Sequence, residues 1–166
     1  MRKIALLGLV LSGGLMTASA QYTFSFEESE IPAQWVAEQG TLSLSSEHAT
    51  AGTQALCWEV PAGEKATLLV NFTAFKTSTT LASIFDIHSL KATESPLTVD
   101  FMNASKVEQL TANVVINFKG RREINRVYGT DFKSKVSKTL AYVRFTLDNT
   151  GQTEPQKLCF DNVNFK

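Results

Sequence analysis

An all-β fold, two antiparallel sheets packed face to face as a β-sandwich of jelly-roll type, is what this sequence predicts, and three observations carry the prediction. From Tyr22 onward the apolar residues recur mostly with period two, the alternation of strands that hold one face in a core and the other in water. These runs are short and separated by clusters of Gly, Pro, Asn, Ser and Thr, the residues that turn a chain. No stretch has the 3.6-residue period of a long amphipathic helix.

Taken in order, the expected strands begin at 22–27 (YTFSFE), where Tyr22, Phe24 and Phe26 alternate with polar residues, and continue at 41–45 (TLSLS). Strand 54–60 puts Leu56, Trp58 and Val60 on one face and Ala55, Cys57 and Glu59 on the other, so the aromatic face is core. Strands follow at 66–72 (ATLLVNF), 82–87 (ASIFDI), 97–103 (LTVDFMN), 110–118 (LTANVVINF), 122–128, 140–147 (LAYVRFTL) and 157–165 (KLCFDNVNF). Turns such as Pro61-Ala62-Gly63 and Asn149-Thr150-Gly151 punctuate them. Trp35, close to a proline, reads as lying outside regular strand and plugging an end of the sandwich. With no internal repeat and no second-domain boundary, residues 21–166 form one domain.

The first twenty residues read as an address. Arg2 and Lys3 precede an apolar run from Ile4 to Met16, and Ala18-Ser19-Ala20 follows as a cleavage signature, the pattern of a signal peptide. The run is shorter than the roughly 20 apolar residues that a spanning helix needs. A secreted or periplasmic location follows, where a disulfide persists. Cys57 and Cys159 are the two cysteines; if strands 54–60 and 157–165 are neighbours, both face outward and one bridge between them is open to the chain.

The formal charge is zero, 16 Lys and Arg against 16 Asp and Glu, so no overall field draws the chain to nucleic acid or to a membrane. His48 and His88 are the two histidines, and both read as surface polar residues. No HExxH, P-loop, GxSxG or paired CxxC motif is present, which removes local support for metal-hydrolase, phosphate-cradling, esterase and zinc-cluster chemistry. A Ser, Asp and His brought together by folding is the catalytic arrangement left open. The chain alone reads as no enzyme.

Three stretches resemble the N-terminal domain of chondroitin sulfate ABC lyase-type polysaccharide lyases. They are the opening, Phe26-Glu27 with Trp35 and LSLSSEHATAGTQALCWEV (42–60); NFKGRREINRVYGTDF (117–132), similar to a family stretch reading strand, Gly-Trp-Arg, strand, Asp; and the closing LCFDNVNF (158–165). The first and last are also similar to jelly-roll carbohydrate-binding modules. Two places depart from the pattern: Arg121 stands where the Trp of Gly-Trp-Arg is expected, and Asp86 and His88 stand where aromatics are usual. The resemblance implies a non-catalytic β-sandwich, with the lyase chemistry in later domains of a longer parent enzyme.

Residues 119–138 carry Lys119, Arg121, Arg122, Arg126, Lys133, Lys135 and Lys138 against Glu123 and Asp131. Beside the resemblance, this asymmetry suits an acidic polysaccharide such as chondroitin sulfate: Arg grips multi-oxygen anions in bidentate fashion and Lys adds point charge. Tyr128 is placed to stack on a sugar ring. The alternative is a set of solvated charges guarding a strand edge. The resemblance further implies one structural calcium ion, held by Glu27 of the first strand and Asp161 of the last with backbone carbonyls near Thr50 to Thr53, since hard cations take 6–8 oxygens. The expected function is an accessory, carbohydrate-binding domain of a polysaccharide lyase; the competing one is a structural domain that packs against the lyase catalytic domain without sugar affinity.

Overall fold

The computed structural model describes residues 22–76, 81–93, 95–128 and 139–165, and within strands it leaves out the side chains of residues 75, 76, 81 and 126–128. The leader read at residues 1–20 lies outside the described residues, as do Lys133, Lys135 and Lys138. The described residues contain eleven strands: β1 (Tyr22–Phe24), β2 (Trp35–Ala37), β3 (Thr41–Ser45), β4 (Ala55–Val60), β5 (Lys65–Lys76), β6 (Leu81–Ser89), β7 (Leu97–Met102), β8 (Glu108–Val114), β9 (Gly120–Tyr128), β10 (Thr139–Asp148) and β11 (Gln156–Phe165). They form two antiparallel sheets. One runs β3-β4-β11-β6-β9, with β1 added on β11 beyond the end of β4; the other runs β2-β5-β10-β7-β8.

The core between the sheets follows from the alternation. Leu56, Trp58 and Val60 from β4, Phe85 and Ile87 from β6, and Leu158 and Phe160 from β11 meet Leu68, Val70, Val99, Phe101, Val143 and Phe145 of the other sheet. Trp58 is fully buried, and its indole Nε1 donates to the Gln39 carbonyl at 3.0 Å. Gly40 lies alongside with φ +81°, and a Cβ there would run into the Glu59 carbonyl. The turns at Pro61 and Asn149 lie side by side, the Gly63 amide donating to the Asn149 carbonyl.

One expectation needs correction. Trp35 opens a strand, β2, and is 3% exposed. Its ring packs against Phe24, Phe26, Phe145 and Phe160 with centroids 5.2–6.0 Å apart, so it is a centre of the core, and its truncation to Ala would cost roughly 3–5 kcal/mol. Cys57 and Cys159 lie on the face of their sheet opposite the main core, yet each is 1% exposed, in a small cluster with Ala55.

A bulge explains the closing strand. Leu158 and Phe160 point inward, and strict alternation would then turn Val163 and Phe165 outward. Asn162 instead takes φ +48°, the pairing with β6 shifts between Asp161 and Asn164, and Val163 and Phe165 return to the core. The bulged strand changes the phase of its side chains by one residue. Asp161, just before it, stays on the outer face beside Cys159.

Candidate functional site

Each sheet turns one face to the outside, and each outer face carries a buried aspartate bound to an arginine. On the six-stranded sheet the pair is Asp86 of β6 and Arg121 of β9. Asp86 is 2% exposed and Oδ1 accepts from Arg121 Nε at 3.1 Å and Nη2 at 3.0 Å. Asp86 lies directly across from Asp161 on β11, and like charges opposed on neighbouring strands repel. Three groups offset that repulsion: the Arg121 guanidinium, the backbone amides of Thr50 and Ala51, which donate to Asp161 at 2.6 and 2.8 Å, and the Thr50 hydroxyl, 2.8 Å from Asp86 and 2.9 Å from Asp161.

These bonds fasten the loop of residues 46–54 over β6 and β11. At its far end Glu27 accepts from the Thr53 amide and hydroxyl and the Gln54 amide at 2.7–3.1 Å, which holds the Glu27 carboxyl below its ordinary value. Phe26, with φ +59°, turns the chain so that its own ring enters the core while Glu27 reaches the loop. Gly52 has φ +74°, and any Cβ there would strike the Glu27 carboxylate. His48 stacks on His88 with ring centroids 4.1 Å apart. Burial, and the neighbouring His48 charge after it, hold His88 below its ordinary 6.5. Beside them Cys57 and Cys159 are directly opposed on β4 and β11 and form a disulfide.

The donor set at Glu27 and Asp161 does not fit a hard cation. Both carboxylates face N–H and O–H hydrogens rather than carbonyl oxygens, and they share no partner residue. The cation facing the aspartate pair is Arg121. Among the described residues no group of three or more His, Cys, Asp or Glu is arranged to hold a metal ion.

The basic stretch is spread by strand geometry. Lys119 is exposed ahead of β9. Arg121 is committed to Asp86, whereas Arg122, the next residue, points to the opposite face and lies over the Phe118 ring at 4.3 Å. Arg126 and Tyr128 sit further along β9, opposite Ser83 and Leu81 of β6.

The five-stranded sheet is arranged differently. Its outer face is an open groove of about 630 Å³, lined by Lys65 and Thr67 of β5, Arg144, Thr146 and Asp148 of β10, Thr98 and Asp100 of β7, Glu108 and Thr111 of β8, and Ser95 and Pro96. Asp100, 4% exposed, is the floor; Oδ2 accepts from Arg144 Nε at 2.9 Å and Nη2 at 2.6 Å, and Oδ1 from the Thr111 hydroxyl at 2.7 Å. These bonds fix the guanidinium plane without using Nη1. At the rim, hydrogen bonds from the Thr150 hydroxyl and amide hold the Asp148 carboxyl below its ordinary value. The groove thus presents fixed donors and acceptors, with cations and carboxylates close to balance.

The fold of this sandwich has known counterparts. The family model described as "Lyase, N terminal" matches residues 20–166. The chain belongs to that family, the N-terminal domain of polysaccharide lyases such as chondroitinase ABC. A lyase N-terminal domain is non-catalytic and has the fold of carbohydrate-binding modules. Among solved structures, the chain is similar to a family 11 carbohydrate-binding module from Clostridium thermocellum in complex with a β-1,3-1,4-mixed-linked tetrasaccharide (TM-score 0.61, 12% identity, covering 90% of this chain and 96% of that one). It is also similar to a family 4 module (0.55, 17%, 81% and 95%) and to an exo-β-agarase (0.69, 11%, 86% of this chain and 24% of that one). The chain therefore spans about a quarter of the agarase. A comparison with curated proteins finds no match. The disulfide and the lyase family fit an extracellular or periplasmic protein.

The sequence reading missed the groove, and it had a signal for the closed face. Three residues singled out in the sequence, Asp86, His88 and Arg121, meet at one place: Arg121 pairs in register with His88 and bonds Asp86. An ion pair and a histidine stack share that place.

Proposed function

We propose that this lyase N-terminal domain binds a polysaccharide chain along the open face of its five-stranded sheet and so holds the substrate of a longer, extracellular or periplasmic lyase. The observation that carries this reading is the groove floored by the Asp100–Arg144–Thr111 network. A sugar chain offers rows of hydroxyls, which pair with immobilised carboxylates, hydroxyls and guanidinium groups at little ordering cost. The module whose structure contains a mixed-linked tetrasaccharide shares the fold.

The ligand class proposed is the polysaccharide cleaved by the parent enzyme, with chondroitin sulfate as first probe. Lys65 and Arg144 Nη1 are the groups that meet its anionic substituents. Because Asp100, Glu108 and Asp148 line the same groove, the attraction is local, and binding weakens only modestly as salt rises, in contrast to a site built on exposed basic residues. Calorimetry with chondroitin sulfate oligosaccharides and with uncharged oligosaccharides tests the proposal: Arg144→Ala removes the heat and Arg121→Ala leaves it. Absence of heat for every oligosaccharide at millimolar concentration would move the reading to a domain that packs against the catalytic domain.

A further inference from the structure

A second hollow opens beside β5, where Asn71 and Tyr142 of the five-stranded sheet's outer face meet β1 of the other sheet. It has a volume of about 560 Å³ and is lined by Tyr22, Thr23, Phe24, Gln34, Asn71, Phe72, Thr73 and Tyr142. Its chemistry differs from that of the groove: aromatic rings make the walls and neutral amide and hydroxyl groups the rim. Tyr22 stacks on Phe72 with centroids 4.9 Å apart, and its hydroxyl donates to the Thr73 carbonyl. Each of Tyr22, Phe24, Phe72 and Tyr142 keeps part of its surface open to solvent, although the main core begins immediately behind them.

Two strands, β5 and β10, run from the groove to the hollow. Tyr142 and Arg144 are successive outward positions on β10, opposite Asn71 and Leu69 on β5. Leu69, 6% exposed, lies between them on β5. From Asp148 in the groove to Tyr142 in the hollow is six residues along β10, about 20 Å at the rise of a strand. The Lys106 ammonium stands 5.5 Å from the centre of the Tyr142 ring, which holds the ring in place from one side.

We propose that this aromatic hollow is a subsite for a single pyranose ring, so that the domain reads a sugar chain at two points, by stacking at Tyr142 and by hydrogen bonds at Arg144. A pyranose matches the wall chemistry because it has an apolar face of C–H groups and a rim of hydroxyls. The first packs on aromatic rings, and the second finds the Asn71 and Gln34 amides. A lipid tail or apolar peptide would leave those amides without partners when buried, which is costly. The inference rests on the polysaccharide-binding reading and adds the length of the ligand: affinity grows until the chain spans both subsites and then levels off.

The experiment is a titration of the full chain with chondroitin oligosaccharides of increasing length, wild type beside Tyr142→Ala, Asn71→Ala and Arg144→Ala, with folding checked by circular dichroism. The expected result is that Tyr142→Ala and Asn71→Ala lower the affinity for long oligosaccharides about tenfold, leave that for a disaccharide unchanged, and abolish the gain with length. Asn71 points outward at the rim, so it keeps the test decisive if Tyr142→Ala unfolds. Length-dependent binding that both variants retain in full, with Arg144→Ala still abolishing it, overturns the subsite and leaves the groove standing. No binding of any oligosaccharide by wild type overturns both.

Discussion

The two outer faces use the same device to opposite ends. Asp86 and Asp100 are both nearly inaccessible, and their arginines, Arg121 and Arg144, are 53% and 37% exposed. What separates them is where the aspartate's further bond goes. Asp86 meets Thr50, which belongs to a loop, so the network pulls the loop down and closes the face. Asp100 meets Thr111, which belongs to the same sheet, so the network stiffens the floor and leaves the space above it free. A buried ion pair is thus no sign of a binding site by itself; the owner of its third partner decides.

The comparison breaks most visibly through the disulfide, which joins residues 102 apart under the closed face. Removing it with Cys57→Ala and Cys159→Ala together should lower stability by about 4 kcal/mol, measured by denaturant unfolding, and leave sugar affinity unchanged. A loss of affinity would tie the faces together. Asp161→Ala comes next. It strips acceptors from two loop amides, the Thr50 hydroxyl and the Asn162 amide, and should cost on the order of 3 kcal/mol, again with sugar affinity retained.

How much of this was legible in the sequence depended on whether the signal was local. Strand existence was, because period two is written in each segment; β3 was placed at 41–45 and is found there. Trp35 was not, since three residues are too few to show a period and its strand exists only through pairing with β5. The phase change in β11 was readable in principle: Leu158 and Phe160 are even-numbered, Val163 and Phe165 odd, and an Asp-Asn pair sits between. The groove was hidden because Asp100 and Arg144 lie 44 residues apart and each looks like one charge in an apolar strand. Only the register of β7 on β10 joins them. The charge count of residues 119–138 is silent on direction: alternation sends Arg121 and Arg122 to opposite faces, which a sum over sequence does not register.

A smaller effect sharpens the contrast between arginines. Arg144→Ala should abolish sugar binding, while Arg121→Ala should leave it unchanged and cost roughly 1–2 kcal/mol of stability, the discount reflecting its exposure. Thermal melts with calcium and with excess chelator should superimpose, because the carboxylates at the loop already face hydrogen donors; a separation of the curves would mean that the loop carbonyls turn inward around a cation.

The smallest effect is the pH dependence of the closed face. His88 sits below its ordinary 6.5 in the folded chain, packed on His48 and next to Arg121. The unfolded chain therefore takes up the proton more readily. Stability should be constant above about pH 6.5, fall as the pH drops below it, and level off once the folded histidine also protonates. His88→Asn should flatten that limb of the curve, and an unaltered limb would place the titration elsewhere.

The central claim, that sugar is held on the open face of the five-stranded sheet and not on the closed one, is tested most directly by mapping amide chemical shifts of isotope-labelled protein during titration with a chondroitin sulfate oligosaccharide. The account predicts shifts at Thr67, Thr98, Thr111, Arg144 and Thr146, and none at Thr50, Arg121 or Arg122. Shifts centred on Arg121 and Arg122, with the groove residues unmoved, would contradict it.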